Sequence, residues 1–486
     1  MKILIATANC ITPELQTELE IIERHLDEGD TLYYIVCDRE LQNCFLYDSP
    51  TNHDCLVCKT RINIGISLLS KEINIINLDI EPSRYTKTNI KFDNITKLKA
   101  FSHNGNPVGI IVASTLIHKL KNENFDTIHH TKIINDHINT YINLYNAALR
   151  ILTKIKPDKV YIFNGRFTTS HPIIMACLKK NIDFFTYERS GTLNKYRVTY
   201  KSLPHTIHTI ANECECLYQK YDKSEAEFFA KEYYTSLRNK KNLNGFCFTA
   251  NQKNNKLPDN FDRDKKNIVF FNSSIFECAS LPDECGYYQI ICNSDSELVT
   301  KLSETLSSNK EIHIYCRIHP NIANTNSSQL VDLLKLNHLQ NVTIIPPESD
   351  IDTYALMENA SIVLTSHSTT GAEAAYWGKP VILVSNSPYR SLGGFYTPQS
   401  YQELINLLLA DLKPISQIGA IKYGLWLSKS GIGFRYYTPI DSGNGLFRGV
   451  NIKERAHVRL FIPRLLRFIK RFFSLLVPSC KTEHWR

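Results

Sequence analysis

Strand and helix patterns alternate from the first residues of this chain, and this alternation limits most strongly what the chain can fold into. The apolar run Ile3–Ala8 predicts a buried strand, and apolar residues at helical spacing follow from Pro13 until Gly29 stops the helix. Leu32–Cys37 predicts a second strand. A strand, a helix and a strand within about 35 residues form a βαβ unit, which implies a parallel sheet and a right-handed crossover. The predicted fold class is therefore α/β.

The alternation is interrupted once and then resumes. Residues 238–266 are polar and rich in Asn, Lys and Asp, as is typical of a linker between domains. We predict an N-terminal Rossmann-like domain over residues 1–237, a second one over 267–430 and a C-terminal extension over 431–486. Two such domains would enclose a cleft at the carboxyl ends of their strands, where open α/β sheets bind ligands.

The net charge of +8 is concentrated at the end of the chain, because residues 451–486 carry +7 and residues 1–450 only +1. A nucleic-acid-binding protein has a basic face on its main domains. The nearly neutral body therefore argues against nucleic acid as a partner.

The C-terminal stretch Arg459–Val477 interleaves basic with apolar and aromatic residues. After Pro463 this pattern predicts a basic amphipathic helix that anchors the protein peripherally on anionic lipid; the alternative is a helix packed back on the N-terminal domain. The N-terminus lacks the features of a signal peptide, and no run of about 18 apolar residues predicts a spanning helix. We therefore expect a cytoplasmic protein on the inner face of the cytoplasmic membrane.

Two polar motifs follow predicted strands in the second half of the chain. Arg317 and His319 come directly after a strand, where their donors suit phosphate oxygens, although an ordinary turn would also explain them. The segment Ser366–Glu373 follows another strand and opens a helix, so its hydroxyls and free N–H groups predict an anion site. A plain N-cap, with Thr370 and Glu373 as a capping box, is the alternative, and the two roles are compatible.

These motifs, together with Asp352–Met357 and Trp377–Val381, resemble the donor domain of GT-B glycosyltransferases of bacterial capsule and surface polysaccharide synthesis. His-Pro and the later Ser/Thr motif are also similar to those of sialyltransferases and Kdo transferases, which use cytidine-activated donors. The resemblance implies a GT-B fold of two Rossmann-like domains, a nucleotide-activated sugar as donor and a lipid-linked or polysaccharide acceptor. It also implies contacts to the donor: the phosphate would contact His319 and Ser368 or Thr369, and the ribose would contact Glu373. From their positions at a strand end and a helix start, we also expect Arg317, Thr370 and Gly371 to help neutralise the charge of the phosphate.

Two other activities remain open from the sequence. The polymerases that make poly(glycerol phosphate) from CDP-glycerol have a similar layout, and in such a phosphotransferase His319 would act directly in acid–base chemistry. A protein that binds a sugar nucleotide or glycan without catalysis, as part of a capsule assembly complex, is the third hypothesis.

Polar residues at three further strand ends are predicted to face the cleft. Ser273 and Ser274 end the first strand of the second domain and would bind donor phosphate or acceptor, or else form a polar turn. In the first domain, Asn164 and Arg166 follow one strand, and Glu188 and Arg189 follow another. We predict Asn164, Arg166 and Arg189 on the acceptor side. Inverting transfer needs a base for the acceptor hydroxyl, and Glu188 is the predicted one; a Glu188–Arg ion pair is the structural alternative.

Two acidic motifs are interpreted as helix caps. Asp27-Glu28-Gly29 resembles the base motif of some sialyltransferases, but a helix must end there before a strand, so a Gly C-cap explains it. Asp350-Ile351-Asp352 resembles the metal-binding motif of the other glycosyltransferase fold, but Asp352 precedes a helix and fits an N-cap. We therefore expect no catalytic metal and no cofactor for catalysis.

Four of the fourteen cysteines are clustered in sequence, and the pattern of Cys37, Cys44, Cys55 and Cys58 closes with C-x2-C. Four thiolates with this ending suit a tetrahedral structural zinc. Unligated thiols and a redox disulfide are the alternatives. The remaining cysteines are expected to be free thiols in a reducing compartment.

Overall fold

The computed structural model describes residues 1–6, 10–37, 39–41, 43–48, 50–78, 80, 87–245 and 247–461. The strands are β1 Lys2–Ala6, β2 Thr31–Val36, β3 Asn74–Asn77, β4 Lys159–Phe163, β5 Asp183–Arg189, β6 Lys195–Tyr200, β7 Lys266–Phe271, β8 Ile312–Arg317, β9 Val342–Ile345, β10 Ile362–Thr365, β11 Val381–Leu383, β12 Ile432–Gly433, β13 Tyr437–Asp441 and β14 Asn444–Phe447. The helices are α1 Glu14–Asp27, α2 Asn52–Ile66, α3 Ile95–Lys99, α4 Val108–Leu120, α5 Thr131–Ile155, α6 His171–Lys180, α7 Ile207–Tyr218, α8 Lys223–Arg238, α9 Ile275–Ala279, α10 Asp295–Leu306, α11 Ser328–Leu334, α12 Thr353–Asn359, α13 Thr370–Tyr376, α14 Tyr401–Leu409 and α15 Ile418–Lys429.

Two sheets with the same strand order form the two halves of the molecule. The first sheet runs β12-β6-β5-β4-β1-β2-β3, and only β6 and β12 in it are antiparallel to their neighbours. The second runs β11-β10-β7-β8-β9 and is wholly parallel. Counted within each half, both contain the order 3-2-1-4-5 of a Rossmann fold. The predicted α/β class with two Rossmann-like domains is confirmed.

The strand order places a ligand crevice at one point in each sheet. In the second sheet the order reverses between β7 and β10, where Phe271 pairs with Thr365. Loops that leave neighbouring strands in opposite directions open a crevice at such a switch point. The residues directly after β7 and β10, which are the predicted serine-rich motifs, therefore lie side by side.

The apolar core is continuous between the two halves. One cluster joins residues of α4 and α5 to those of β7 and β8. A second joins α7, through Ile210, Ala211 and Cys214, to β10 and α15. Helix α8 packs its Ala226 and Ala230 against α15. Helices α7 and α8, which precede the predicted linker, thus share their core with the second half of the chain.

The C-terminal segment returns to the first sheet. Strand β12 pairs with β6, and the Glu20 carboxylate of α1 accepts the backbone N–H groups of Arg435 and Tyr436 at 2.9 and 2.7 Å. Glu20 lies on the polar face of α1 and is nevertheless fully buried, because these two N–H groups satisfy its carboxylate. Residues 452–461 are helical, and Ala456 lies in the core of the first half. The predicted amphipathic helix after Pro463 lies outside the described residues.

No helix in the described ranges combines the length and the apolar character that a membrane crossing requires. The longest of these helices, α5, has 25 residues but includes several buried polar side chains, among them Asn135, His137 and Asn139.

Candidate functional site

Two cavities meet at the switch point of the second sheet. Pocket A encloses about 1080 Å3 of empty space between the end of β8, the turn before α13 and the segment after α8. Pocket B encloses about 860 Å3 between the ends of β7 and β10 and the loops of the first domain. His319 and Ser368 line both pockets, so these two residues form the wall that the pockets share.

The side chain of His319 is held in one tautomer. The backbone N–H of Asn321 donates to its Nδ1 at 3.1 Å, and the hydroxyl of Ser274 lies 3.1 Å from the same atom. Burial, with Arg317 nearby, lowers the pKa of His319 to about 4, so the ring is neutral at pH 7. Because Nδ1 accepts a hydrogen bond, the proton sits on Nε2 and is available as a donor.

Arg317 is buried at the end of β8 and lines pocket A. Its guanidinium donates to the carbonyls of Pro346 and Ser349 at 3.2 and 3.0 Å, which fixes the loop before α12. Its Nε has no hydrogen-bond partner among the described residues. A buried donor without a partner is costly, and the positive charge of Arg317 beside pocket A favours an anionic group there.

The Ser366–Glu373 turn is built from hydroxyl and backbone contacts. The N–H of His367 donates to Ser273 Oγ at 3.0 Å, which ties this turn to the end of β7. The N–H of Thr370 donates to Ser368 Oγ at 3.3 Å, while Thr369 is exposed on the wall of pocket A. Gly371 leaves no room for a side chain, because an added Cβ would lie 2.5 Å from Thr365 and 2.6 Å from the Tyr389 hydroxyl.

The capping box of Thr370 and Glu373, which was the alternative to an anion site, is not formed. Its carboxylate accepts the Tyr354 hydroxyl at 2.6 Å, and no side-chain cap bonds the start of α13. Burial raises the pKa of Glu373 to about 7. Glu373 therefore binds a hydroxyl of α12 instead of a backbone N–H at the start of its own helix. It lines pocket A together with Tyr354.

The two acidic motifs interpreted as caps behave as caps. Asp352 accepts the N–H of Tyr354 at 3.0 Å at the start of α12, and Asp350 pairs with Lys253 and Lys256 at 2.8 and 2.7 Å. Gly29 follows α1 with φ +80°, the left-handed conformation of a Gly C-cap. Both interpretations are confirmed.

Cationic and imidazole side chains dominate pocket B. Lys121 and Arg166 line it together with four histidines, and Glu277 is its one carboxylate among the described residues. The Arg166 guanidinium is buried and donates to Ser280 Oγ at 2.6 Å, while its Nε has no partner among the described residues. Burial lowers the pKa of His118 to about 3, so this imidazole is neutral. The pocket therefore favours an anionic guest.

Of the first-domain residues predicted for catalysis or for the acceptor side, Arg166 lines pocket B and the other three line neither pocket. Asn164 donates to Glu188 Oε2 at 2.5 Å and lies 3.1 Å from His205 Nε2. Glu188 lines neither pocket, but His205, whose Nε2 lies 3.9 Å from the Glu188 carboxylate, lines pocket B. Arg189 lines neither pocket, because its guanidinium turns to α1 and pairs with Glu14 at 2.9 Å. The ion pair of Glu188 with an arginine, the structural alternative, is not formed among the described residues, where Glu188 pairs with His205 and Arg189 with Glu14.

Several residues of the site were missed by reasoning from the sequence. Phe248 packs its ring edge-on against His319 at 5.0 Å, although it lies in the predicted linker. Glu277 follows Ser274 by only three residues, so its closeness to a strand end was a usable signal. Asp295 is buried behind the turn, where it accepts the Ser366 hydroxyl at 2.7 Å, and burial raises its pKa to about 6.

No family model and no curated protein matches the chain. Solved structures with a similar fold include two Kdo transferases named KpsC from Thermosulfurimonas dismutans. The beta Kdo 2,4 transferase is 13% identical, with a TM-score of 0.38 over 55% of this chain and 79% of that one. The beta Kdo 2,7 transferase is 14% identical, with a TM-score of 0.36 over 65% and 89%. A UDP-GlcNAc 2-epimerase from Methanocaldococcus jannaschii, solved with UDP-GlcNAc and UDP, is 13% identical, with a TM-score of 0.29 over 87% and 98%. The similarity concerns the GT-B-like arrangement of the two domains and carries no argument about activity.

Proposed function

We propose that the protein is a glycosyltransferase of capsule or surface polysaccharide synthesis. It takes a nucleotide-activated sugar, of the cytidine monophosphate (CMP) type, and transfers the sugar to a growing lipid-linked or polysaccharide acceptor. The observation that carries the proposal is the wall shared by pockets A and B. Neutral hydrogen-bond donors at His319 and Ser368 stand between an aromatic pocket and a cationic one, an arrangement that suits a nucleotide linked through phosphate to an acidic sugar.

Pocket A has the properties of a nucleoside site. It is a concave site in which Tyr233, Tyr234, Phe248 and Tyr354 supply aromatic surface for a base. The buried carboxylate of Glu373 accepts one hydrogen bond, from the Tyr354 hydroxyl, and can accept others from the hydroxyl groups of a ribose. These features support the ribose role that the motif resemblance implies for Glu373.

The donor phosphate would lie at the shared wall. Four residues that line pocket A would surround it: His319 through its Nε2–H, Arg317 through its guanidinium charge, and Ser368 and Thr369 through their hydroxyls. As the bond from the sugar to phosphate breaks, negative charge grows on the phosphate oxygens. Fixed donors in a buried site stabilise such charge strongly.

The sugar would lie in pocket B. Kdo and sialic acid carry a carboxylate, and Lys121 and Arg166 supply two cations against the one carboxylate of Glu277. The excess of cations supports an acidic sugar over a neutral one. It also supports the CMP-type donor, since the sugars that bacteria activate with CMP in the resembling families are acidic.

The acceptor hydroxyl needs a base in an inverting transfer, and two carboxylates are candidates. Glu277 lines pocket B, and burial raises its pKa, which strengthens it as a base. Glu188, the residue predicted from sequence, reaches the pocket only through Asn164 and His205. The geometry therefore favours Glu277 for this role. The peripheral position on the inner membrane face, through the basic C-terminal tail, is part of the proposal and rests on the sequence pattern alone.

The proposal predicts which donor turns over. Purified protein should release CMP from CMP-Kdo or CMP-sialic acid, slowly to water and faster when a surface-glycan acceptor is present. UDP-N-acetylglucosamine should stay intact. Release of CMP together with a phosphorylated product from CDP-glycerol would support the phosphotransferase instead. Binding of a nucleotide without turnover of any donor would support the non-catalytic factor.

A further inference from the structure

A second cluster of reactive side chains lies away from pockets A and B, at the carboxyl edge of the first sheet. Cys37 follows β2 directly, while Cys55 and Cys58 lie three residues apart in the first turns of α2 and so share one face of that helix. Cys44 lies between them in sequence. The four side chains line one cavity of about 410 Å3, together with five other residues.

A fifth cysteine belongs to the same cluster and was not predicted from the sequence spacing. Cys10 follows β1, the strand that pairs with β2, so it reaches the same sheet edge as Cys37. The thiols of Cys10 and Cys58 lie close enough to interact with each other. Cys10 does not line the cavity, and we therefore place it behind the other four.

We propose that Cys37, Cys44, Cys55 and Cys58 bind one structural zinc ion. Four thiols around one cavity, two of them supplied by a C-x2-C at a helix start, match the donor set of tetrahedral structural zinc. On binding, each of the four thiols loses its proton to solvent and gives the metal a thiolate electron pair. No redox step is involved.

The distances between the sulfur atoms indicate how far the cysteines would have to move to bind one ion. Among the described residues, no three of these Sγ atoms lie within 4.8 Å of one another; the one such trio of ligand atoms belongs to His25, Glu28 and Asp30. Zinc–sulfur bonds of about 2.3 Å put the sulfurs of a tetrahedron about 3.8 Å apart. The metal would therefore draw the cysteines together and fix the chain between β2 and α2, which gains stability from the ion.

The redox alternative accounts for less of the arrangement. A disulfide would join only two of the four thiols that line the cavity, and all four are free thiols in the structure. One tetrahedral zinc ion would use all four.

The zinc site would also support pocket B. Phe45, next to Cys44, stacks on His118 at 5.6 Å and contacts Phe167 at 4.3 Å between ring centroids. His118 lines pocket B, and Arg166 of the same pocket lies over the Phe167 ring. A metal that fixes the segment around Cys44 would therefore also support the positions of His118 and Arg166 in pocket B.

The test is the metal content of the full chain, purified under reducing conditions from cells supplied with zinc. We expect about one zinc per chain, and we expect Cys55→Ser and Cys58→Ser each to lose it. Cys216→Ser, at an exposed site on α7, and Cys10→Ser should both retain it. If the ligand variants do not fold, a cobalt titration of the parent protein is the alternative experiment. Cobalt added after chelator treatment should give the intense near-ultraviolet absorption of cobalt thiolates.

Three outcomes would overturn the proposal. One is parent protein without zinc and without a cobalt–thiolate band, and another is iron in place of zinc. The third is full zinc content in both Cys55→Ser and Cys58→Ser. None of these depends on glycosyltransferase activity, so the zinc proposal and the proposed function fail independently.

Discussion

Replacing Glu277 by glutamine is expected to lower the turnover of donor and acceptor by about 10²- to 10⁴-fold, the contribution of a general base. The amide keeps the size of the side chain and the hydrogen bond to Asn321 but cannot take the acceptor proton. Nucleotide affinity should change little, because Glu277 lines pocket B and not pocket A. Steady-state rates and nucleotide titrations on the same preparations measure both quantities.

The pH dependence adds an independent readout for Glu277. A base works when deprotonated, so the rate of the parent enzyme should rise with pH through a pKa above the usual range for glutamate, since desolvation in pocket B raises the pKa of Glu277. The variant should lack this rise. Glu284→Gln, at an exposed site near by, is the matched control. If Glu277→Gln turns over like the parent while Glu188→Gln loses activity, the base is the residue that the sequence predicted.

Replacing His319 by alanine should weaken nucleotide binding, or slow turnover, by roughly ten- to a hundred-fold. The reason is the loss of one hydrogen bond to a charged phosphate, which contributes about 1.5–3 kcal/mol. The backbone of residue 319 stays anchored, because its N–H donates to Asn272 Oδ1 at 2.7 Å. Calorimetric titration of nucleotide and steady-state kinetics show whether the bond acts in the ground state or only in the transition state.

Asp352→Ala is the control for His319→Ala, since both residues precede short helical turns on the same side of the sheet. Asp352 accepts two backbone N–H groups, from Tyr354 and Asn255, so its loss should cost about 1–2 kcal/mol of unfolding free energy. Its turnover per folded molecule should match that of the parent. The donor site is wrongly assigned if His319→Ala binds and turns over normally while Asp352→Ala is inactive and activity depends on added metal.

The sheet strands were predictable because burial on both faces gives parallel strands unbroken apolar runs. The predicted strand Leu32–Cys37 is β2, whose bounds Thr31–Val36 differ from the prediction by one residue at each end. Polar residues directly after such strands must lie at the carboxyl edge. This is why His319 and the Ser368 turn, 49 residues apart in sequence, were expected to share one cleft, and they line the same two pockets.

The rest depends on contacts between segments far apart in the chain, which periodicity does not encode. Arg189 turns from the cleft because Glu14, on α1, is its partner. The polar face of α1 is buried because a segment more than 400 residues later donates its backbone N–H groups to Glu20. Phe248 lies in a polar stretch whose composition indicates only a linker, yet it packs on His319. In each case the residue can be identified from the local sequence, but its contact partner is determined by the tertiary fold.

The central claim, that pocket A holds the nucleotide of a CMP-activated sugar, is tested most directly by thermal unfolding with CMP, CDP and UDP. Each nucleotide is titrated on the full chain at equal concentrations. We expect CMP to stabilise best, by roughly 2.7 kcal/mol at about 100 times its Kd, and we expect His319→Ala to lose most of that gain. The claim is contradicted if CMP leaves the unfolding temperature unchanged, or if UDP protects the parent protein better than CMP does.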